Sequence, residues 1–367
     1  MDAANPAKRY SSIKYALAII DTFCLLVLLL VFVGGGFSQA LSQIISIRIN
    51  NNYLILPLYL LSIYLAYSLL DLPLGFYRGF ILEHKFSLST QKLGDWFKDQ
   101  LKAGMIGYLI SVVLLAAFYY ILARFPQSWW IIAWVAWVFF NLVFAKLVPV
   151  VIIPLFFKYK KLSDALLRER INALAFKMKV KILDVLEIDL SKKSLKANAA
   201  FVGMGQTRRV ILSDTLKDKY DYDEIEVILA HEFAHYRMKH LLKLVFFNSA
   251  ITLLVFYLLF KTSQLPLGFF GFSSLSDIAA MPIVILYLVI FELIVQPLQN
   301  YISRKLEKSA DKMALEVTGL KGAFISMMDK LSTQNLADRN PHPIIKFFFF
   351  DHPPVDERIS LARQFYQ

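Results

Sequence analysis

Six apolar segments, each long enough to cross a lipid bilayer, constrain the fold of this chain more than any other feature. An α-helix needs about 20 apolar residues to span the hydrocarbon core. Apolar residues make up 57% of the chain, which is too high a fraction for an ordinary soluble domain. The sequence therefore predicts a mainly α, polytopic membrane protein. Its predicted spans are residues 15–33, 53–72, 103–123, 129–156, 241–260 and 278–298.

Basic residues predict the orientation of these spans, because Lys and Arg are retained on the cytoplasmic side. They cluster in residues 8–14, 78–102 and 158–161. The other loops are nearly free of them, so we expect both termini and segment 157–240 in the cytoplasm. The formal net charge of +12 fits loops that face anionic lipid, and no nucleic-acid motif accompanies it. We expect the lipid bilayer as a partner, and no nucleic acid.

A pentapeptide, His-Glu-Phe-Ala-His at residues 231–235, lies in a segment with a helical pattern. Residues four apart lie one turn above each other on a helix, so His231 and His235 can both offer a ring nitrogen to one metal ion. Glu232 then lies beside the open position of that metal. A catalytic zinc takes three protein ligands and keeps its fourth position for water, so a third ligand must come from elsewhere. Glu307 is the best candidate, and the pattern predicts a zinc protease site.

Two predicted helices carry these residues. The pentapeptide alone can arise by chance, but Asp221 and Asp223 mark the start of the first helix, with Glu224 and Glu226 placed for a capping box. The second helix, residues 301–318, places Glu307 and Asp311 one turn apart on a single face. Asp311 is therefore placed to orient a zinc-bound histidine. Two spans separate the two helices, which returns the third ligand to the same side of the membrane as the first two.

The segment between the fourth span and the pentapeptide is expected to fold outside the bilayer. Residues 162–178 are typical of an amphipathic helix, and residues 182–190 and 208–212 of β-strands, with Gly203 and Gly205 as turn material. An exposed edge of this small sheet could hold an extended peptide by strand addition. We therefore predict a zincin-like α+β metalloprotease domain that two spans interrupt. The predicted regions are 1–156 with four spans, 157–240 with the motif helix, 241–300 with two spans and 301–367 with the third ligand.

Six segments together identify a family. They are LPLGFYRGFILEHKF at 72–86, SLKANAAF at 194–201, RRVILSDTL at 208–216, HEFAH at 231–235, EKSAD at 307–311 and HPPVDER at 352–358. In these segments the chain resembles the type I CAAX prenyl endopeptidases, which are multi-span membrane zinc proteases related to bacterial heat-shock membrane proteases. The resemblance implies that the spans enclose a water-filled chamber and that the zinc domain caps it on the cytoplasmic side.

The resemblance also implies a role for individual residues. His231, His235 and Glu307 would bind one Zn²⁺ ion, and Glu232 would be the general base. His352 and Arg358 would contact the substrate near the reacting carbonyl. Asn198 and Ala199 would hold the peptide backbone. The chain departs from the eukaryotic branch in having one span fewer at its N-terminus, and in Ala200 where that branch has Tyr.

Taken alone, several of these residues have simpler explanations. His352 precedes two prolines in a turn, Arg358 is typical of a solvated helix residue, and Asn198 favours a turn. His240 and His342 are poor candidates for metal ligands. The first lies at an unsuitable angle to the i, i+4 pair, and the second lies in a proline-flanked loop.

The sequence predicts an integral membrane zinc metalloendopeptidase. By the resemblance, its substrate would be a peptide or protein with a prenylated C-terminus, from which it removes the last residues. An alternative is a quality-control protease for unlipidated hydrophobic or damaged membrane proteins. We expect the cytoplasmic membrane if the source is prokaryotic and the endoplasmic reticulum membrane if it is eukaryotic, with the active site cytoplasmic.

Two non-enzymatic alternatives remain open at this point. Glu292 lies inside the last predicted span, where a charge is costly unless it faces water or a partner, and it motivates a channel or transporter with a structural zinc. A structural zinc usually has four protein ligands, whereas the sequence predicts only three. The second alternative is a scaffold with an inactive protease domain, against which the intact Glu232 argues.

Overall fold

A computed structural model describes residues 6–203 and 208–365 of the chain, and most of these residues are helical. Six helices are long and apolar enough to cross a membrane, which confirms the predicted number of spans and the α-helical membrane fold. They are Pro6–Gly34, Asn52–Lys85, Leu93–Arg124, Trp129–Leu155, His240–Thr262 and Ile278–Thr318.

The helices and strands fall into three consecutive stretches of the chain, and the strands lie in the middle one. The N-terminal half contains α1 (Pro6–Gly34), α2 (Phe37–Arg48), α3 (Asn52–Phe76), α4 (Leu82–Lys85), α5 (Leu93–Arg124) and α6 (Trp129–Leu147). Next come β1 (Tyr159–Lys161), α7 (Ala165–Lys177), β2 (Asp184–Ile188), β3 (Ala199–Val202), β4 (Arg209–Ser213), α8 (Asp214–Lys217) and α9 (Tyr222–Arg237). The last part contains α10 (His240–Thr262), α11 (Gln264–Phe269), α12 (Met281–Thr318), α13 (Lys321–Gln334), α14 (Pro343–Phe349) and α15 (Val355–Gln364).

The fourth span changes its helical geometry where its prolines lie. A π-helical turn at Val148–Ile152 follows α6, and a short 3₁₀ turn at Ile153–Leu155 ends the span. Proline lacks an amide hydrogen and its ring clashes with the preceding turn, so Pro149 and Pro154 prevent a regular α-helix at this point. The two prolines therefore account for the irregular end of this span.

The small sheet has four strands in the order β1, β2, β4, β3. The central pair is parallel, with Leu186 opposite Ile211, and β3 runs antiparallel to β4 at one edge. The two predicted strands correspond to β2 and β4, whereas β1 and β3 are additional. Strand β1 lies within the basic segment 158–161. Gly203 has φ 95, as a turn residue does, and Gly205 lies outside the described residues.

Helix α9 lies at the centre of the protease half. Its start is fixed by a capping box in which Asp221 accepts from the backbone of Glu224 and the Glu224 carboxylate accepts from Asp221 N–H. Apolar side chains from the sheet and from α7, α12, α13 and α15 surround it, and Leu229 and Phe233 are fully buried. This packing fixes the rotation of α9 about its axis.

Two spans are coupled directly to the helices that carry the predicted metal ligands. Helix α12 continues from the last span to Thr318 without a break, and Gly319 ends it in the left-handed conformation with φ 69. Between α9 and α10 lie only Met238 and Lys239, and Lys239 also has a left-handed backbone, with φ 56. The sharp turn at Lys239 reverses the chain from the motif helix into the fifth span.

Candidate metal centre

The two motif histidines face each other on α9. One helical turn separates His231 from His235, and their Nε2 atoms lie 3.0 Å apart. His231 is buried, and His235 is partly exposed. Both rings direct their Nε2 atoms towards the same position beside the helix, as the i, i+4 spacing predicts.

Glu307 on α12 completes a triangle with these two nitrogens. One carboxylate oxygen lies 3.1 Å from His231 Nε2, and the other lies 3.2 Å from His235 Nε2. The carboxylate is buried, and its Oε2 accepts no hydrogen bond from any described residue. His231, His235 and Glu307 are therefore brought together as predicted, from two helices that two spans separate in sequence.

Asp311 lies one turn after Glu307 and is completely buried. Its Oδ1 accepts a hydrogen bond from His231 Nδ1 at 2.9 Å. Arg358 on α15 donates to both oxygens of the same carboxylate, from Nε at 2.8 Å and from Nη2 at 2.5 Å. Because Asp311 takes the proton on Nδ1, it leaves the lone pair of His231 Nε2 directed at the triangle.

The second histidine has a different partner. His235 Nδ1 lies 3.2 Å from His240 Nδ1, and His240 Nε2 lies 3.2 Å from the hydroxyl of Ser309 on α12. His240 is 1% exposed. It is therefore not part of the ligand triangle, as expected, but it contacts one corner of it.

The triangle fits a zinc ion. Bonds of 2.0–2.2 Å in a tetrahedral arrangement place neighbouring ligand atoms about 3.3–3.5 Å apart. The two nitrogens lie 3.0 Å apart, and each has a different oxygen of Glu307 at 3.1 or 3.2 Å, which is close to that spacing. Two imidazole nitrogens and a carboxylate are the ligands of catalytic zinc in other proteases. The orphaned, buried Glu307 Oε2 is the atom whose lone pairs such a cation would satisfy.

The electrostatics of His231 also favour a cation at this point. Burial alone lowers the pKa of this imidazole, but the hydrogen bond to Asp311 and the adjacent Glu307 carboxylate outweigh it and raise the pKa to about 9. Positive charge between the two carboxylates is therefore stabilised. A proton supplies that charge when no metal is bound, and a divalent ion takes its place.

His352 lies at the rim of the triangle. Its Nε2 is 3.4 Å from Glu307 Oε1, and its Nδ1 lies 2.9 Å from the carboxylate of Asp351. The hydrogen bond to Asp351 raises the pKa of His352, against the opposing effect of burial. Asp351 therefore favours the charged imidazolium, which can donate from both ring nitrogens. Asp351 was not predicted as a site residue; its position directly before His352 is the only sequence signal for it.

Glu232 and Arg358 complete the polar surroundings. Glu232 is half-buried beside His231. Burial lowers the pKa of Arg358, but the charge of Asp311 and, to a smaller extent, that of Glu232 outweigh burial and raise the pKa. Nε and Nη2 of Arg358 are both occupied by Asp311. Nη1 has no hydrogen-bond partner within residues 6–203 and 208–365, so only this amino group is available to a substrate.

The predicted peptide-binding residues lie at the start of the edge strand β3. Ala199 pairs with Leu212 of β4, and the backbone N–H of Asn198 donates to Ser213 Oγ at 3.0 Å, which leaves the Asn198 side chain exposed. The strand packs on α9 through Phe201, whose ring centroid is 5.2 Å from that of Phe233. The free edge of β3 therefore lies beside the motif helix.

The remaining candidates lie apart from the triangle. His342 caps α14 by accepting from Ile344 N–H at 3.3 Å. Glu292 is exposed on the spanning part of α12.

Six spanning helices, a buried His-His-carboxylate triangle and an adjacent glutamate define a membrane-embedded zinc metalloprotease. Comparison with protein families agrees with this class. The model described as CAAX prenyl protease N-terminal, five membrane helices, matches residues 2–158, and the model of peptidase family M48 matches residues 161–365. The chain belongs to peptidase family M48.

Individual relatives support the same assignment. The chain is 30% identical to the metalloprotease YhfN of Bacillus subtilis, over 98% of this chain and 85% of that protein. It is also 30% identical to CAAX prenyl protease 1 of Saccharomyces cerevisiae, over 80% of this chain and 68% of the yeast protein. The crystal structure of S. mikatae Ste24p superposes with a TM-score of 0.88 at 26% identity, covering 97% of this chain and 88% of that one. The chain is thus similar to membrane proteases over nearly its whole length.

Proposed function

We propose that this chain is an endopeptidase that holds one Zn²⁺ ion on His231, His235 and Glu307 and cuts peptides close to a prenylated C-terminus. The observation that carries the zinc site is the triangle of two imidazole nitrogens and one carboxylate, with edges of 3.0–3.2 Å. Three protein ligands leave a coordination position free, which suits a catalytic metal better than a structural one. The proposal of a channel with a structural zinc has no comparable support.

When bound, zinc supplies Lewis acidity, which lowers the pKa of water towards neutrality and polarises a peptide carbonyl. The residues of the chain supply the proton transfers. Glu232 accepts the proton of the attacking water and later delivers it to the leaving amine. Its half-buried position next to His231 places it beside the metal ligands on the same helical turn.

His352 and Arg358 stabilise the negative charge that develops on the carbonyl oxygen. His352 Nε2 lies at the rim of the triangle, 3.4 Å from Glu307 Oε1, and it donates to the developing charge when the ring is in the imidazolium form that Asp351 favours. Arg358 acts mainly through Asp311, which it holds in a bidentate ion pair, and offers only Nη1 to the substrate. We therefore assign the direct contact with the reacting carbonyl to His352 and a supporting contact to Arg358.

The free edge of β3 holds the substrate backbone. Both backbone groups of Asn198 bond to Ser213, so an extended peptide would pair with the backbone of Ala199 and contact the exposed Asn198 side chain. Such a peptide adds a fifth strand to the sheet, next to α9. Strand addition uses backbone hydrogen bonds, so it accepts peptides of varied sequence. Specificity for a C-terminal lipid must then come from the membrane half of the protein.

Two observations favour a lipidated substrate at the membrane surface. The metal-ligand helices α9 and α12 lead directly into spans, so the zinc site lies near the membrane boundary. Several relatives whose sequences match about four fifths of this chain have names that contain CAAX prenyl protease 1. The basic loops favour a cytoplasmic location for the site and for both termini.

The experiment compares a farnesylated CAAX peptide with its unlipidated twin, using the full chain in detergent and mass spectrometry of the products. We expect chelator-sensitive cutting of the lipidated peptide alone, directly after its prenylated cysteine. Glu232→Gln serves as the matched inactive protein, because it preserves the shape of the side chain and removes the base. Equal cutting of both peptides would refute the lipid requirement and support a general membrane protease. Cutting that persists in the chelator or in Glu232→Gln would refute the catalytic assignment.

A further inference from the structure

We propose that His240 and Ser309 form a neutral hydrogen-bond relay that holds His235 in the tautomer and orientation needed to bind zinc. This inference rests on the zinc ligands assigned under the proposed function. It makes His240 a positioning residue that acts through His235. The two zinc-binding histidines would then be oriented in different ways, one by a buried carboxylate and one by another imidazole.

The positions of the protons in the relay follow from the hydrogen bond that Ser309 makes. Ser309 Oγ lies 2.7 Å from the carbonyl oxygen of Leu306, in the preceding turn of α12. A carbonyl oxygen only accepts, so the single hydroxyl proton of Ser309 is used in this bond. The contact of 3.2 Å between Ser309 Oγ and His240 Nε2 is then a hydrogen bond only if Nε2 carries the proton.

The rest of the relay follows from the burial of His240. The side chain is 1% exposed, and no carboxylate hydrogen-bonds to it in the part of the chain that the structure describes, so the neutral ring is favoured. With the proton on Nε2, the Nδ1 of His240 is a lone pair and accepts from His235 Nδ1 at 3.2 Å. The proton of His235 is thereby fixed on Nδ1. Its Nε2 is left as a lone pair that faces His231 and Glu307.

Local backbone geometry places His240 for this task. The left-handed Lys239, with φ 56, ends α9 and starts α10 at His240, which brings the ring back against His235. The two rings meet edge to face, with centroids 5.0 Å apart and planes at 83°. This arrangement directs the ring nitrogens at one another. A residue five positions after His235 on a continuous helix could not reach it in this way.

The neutral relay has a consequence for the charge of the site. Asp311 and Glu307 are buried carboxylates, and Arg358 balances one of them. A third carboxylate behind His235 would add further negative charge to the site. An imidazole fixes the same tautomer without that charge, so His235 keeps its orientation whether or not zinc is bound.

The test measures zinc affinity by competition with a chromogenic chelator, using the full chain in detergent at constant pH. His240→Leu keeps the bulk of the ring but removes the acceptor, and we expect it to weaken zinc binding about 10- to 100-fold. His240→Asn places Oδ1 where Nδ1 lies in the imidazole, so we expect it to bind zinc about tenfold more tightly than His240→Leu. A purely structural role for His240 would not separate Leu from Asn in this way.

The thermal unfolding midpoint of each zinc-free variant serves as the folding control. Equal zinc affinity of His240→Leu and the unmodified chain would overturn the relay, as would equal affinities of folded Leu and Asn variants. If His240→Leu does not fold, Ser309→Ala decides the question. We expect a smaller loss of zinc affinity in that variant, and an unchanged affinity overturns the assigned tautomer. If the unmodified chain itself binds no stoichiometric zinc, the proposed zinc site fails, which is a different outcome from failure of the relay.

Discussion

The Asp311 carboxylate offers the sharpest test of how the protein supports its metal centre. It is 0% exposed and accepts three hydrogen bonds, one from His231 and two from Arg358. In Asp311→Asn, one acceptor oxygen is replaced by an amino group that must face a donor. The guanidinium of Arg358, whose side chain is 13% exposed, then loses its counter-charge.

Two magnitudes follow from this geometry. Removal of one partner from a buried ion pair destabilises a protein by about 3–5 kcal/mol. For a folded unit of about 200 residues, this corresponds to a fall of about 6–20 °C in the unfolding midpoint. Since Asp311 also fixes the tautomer of His231, we expect zinc affinity to fall about 10- to 100-fold.

The assay combines thermal unfolding of the zinc-free protein with chelator competition for zinc. Asp223→Asn is the matched control, because the Asp223 side chain is 52% exposed and pairs with Arg170 at the surface. We expect it to change stability by no more than about 1 kcal/mol and to leave zinc affinity unchanged. An Asp311→Asn protein that unfolds with the midpoint of this control would refute the account of the buried pair. Lost stability with unchanged zinc affinity would reduce Asp311 to a packing role.

Three further predictions concern the site itself. Glu232→Gln should lower kcat by about 100- to 10,000-fold while zinc stoichiometry, measured by elemental analysis, stays at one per chain; near-normal turnover would exclude Glu232 as the base. His352→Ala should lower kcat by about 100- to 1,000-fold with little change in unfolding midpoint, since this side chain is 54% exposed; an effect confined to KM would instead make it a binding residue. Because the metal-free His231 has its pKa raised to about 9, zinc must displace a proton below that pH. Apparent zinc affinity should therefore rise about tenfold per pH unit from pH 6 to 8, and a flat profile in chelator competition would show that His231 is already unprotonated.

The membrane spans and the metal triad were predictable because both depend on local periodicity. A run of about 20 apolar residues has few folded alternatives to a spanning helix. The i, i+4 spacing of His231 and His235 fixes their relative position as soon as the helix forms. Glu307 was the best candidate for the third ligand that the site needed, and the even number of intervening spans, which returns it to the side of the histidines, supported it.

The remaining features depend on contacts between distant parts of the chain. Strand β3 contains two alanines and pairs with β4, which no local alternation indicates. Helix α2 is only 12 residues long, and it packs against α3. The hydroxyl of Ser38 on α2 lies 2.6 Å from the hydroxyl of Tyr59 on α3. The partner of His235 was missed for a similar reason. The angle that disqualified His240 as a ligand applies to an uninterrupted helix, and the left-handed turn at Lys239 changes it.

The geometry of the metal centre is a property of the membrane half as well as of the protease half. Glu307 and Asp311 lie on α12, whose first half is a span, so translation or rotation of that span moves both carboxylates together. His231 and His235 lie on α9, which only two residues separate from the fifth span. The capping box and the apolar core hold α9, and Ala310 and Ala314 of α12 pack in the same core, close to Glu307. The first residues of α12 pack among the spans, so this helix is shared by both halves. Zinc, by joining α9 to α12, would in turn stabilise the contact between the two halves.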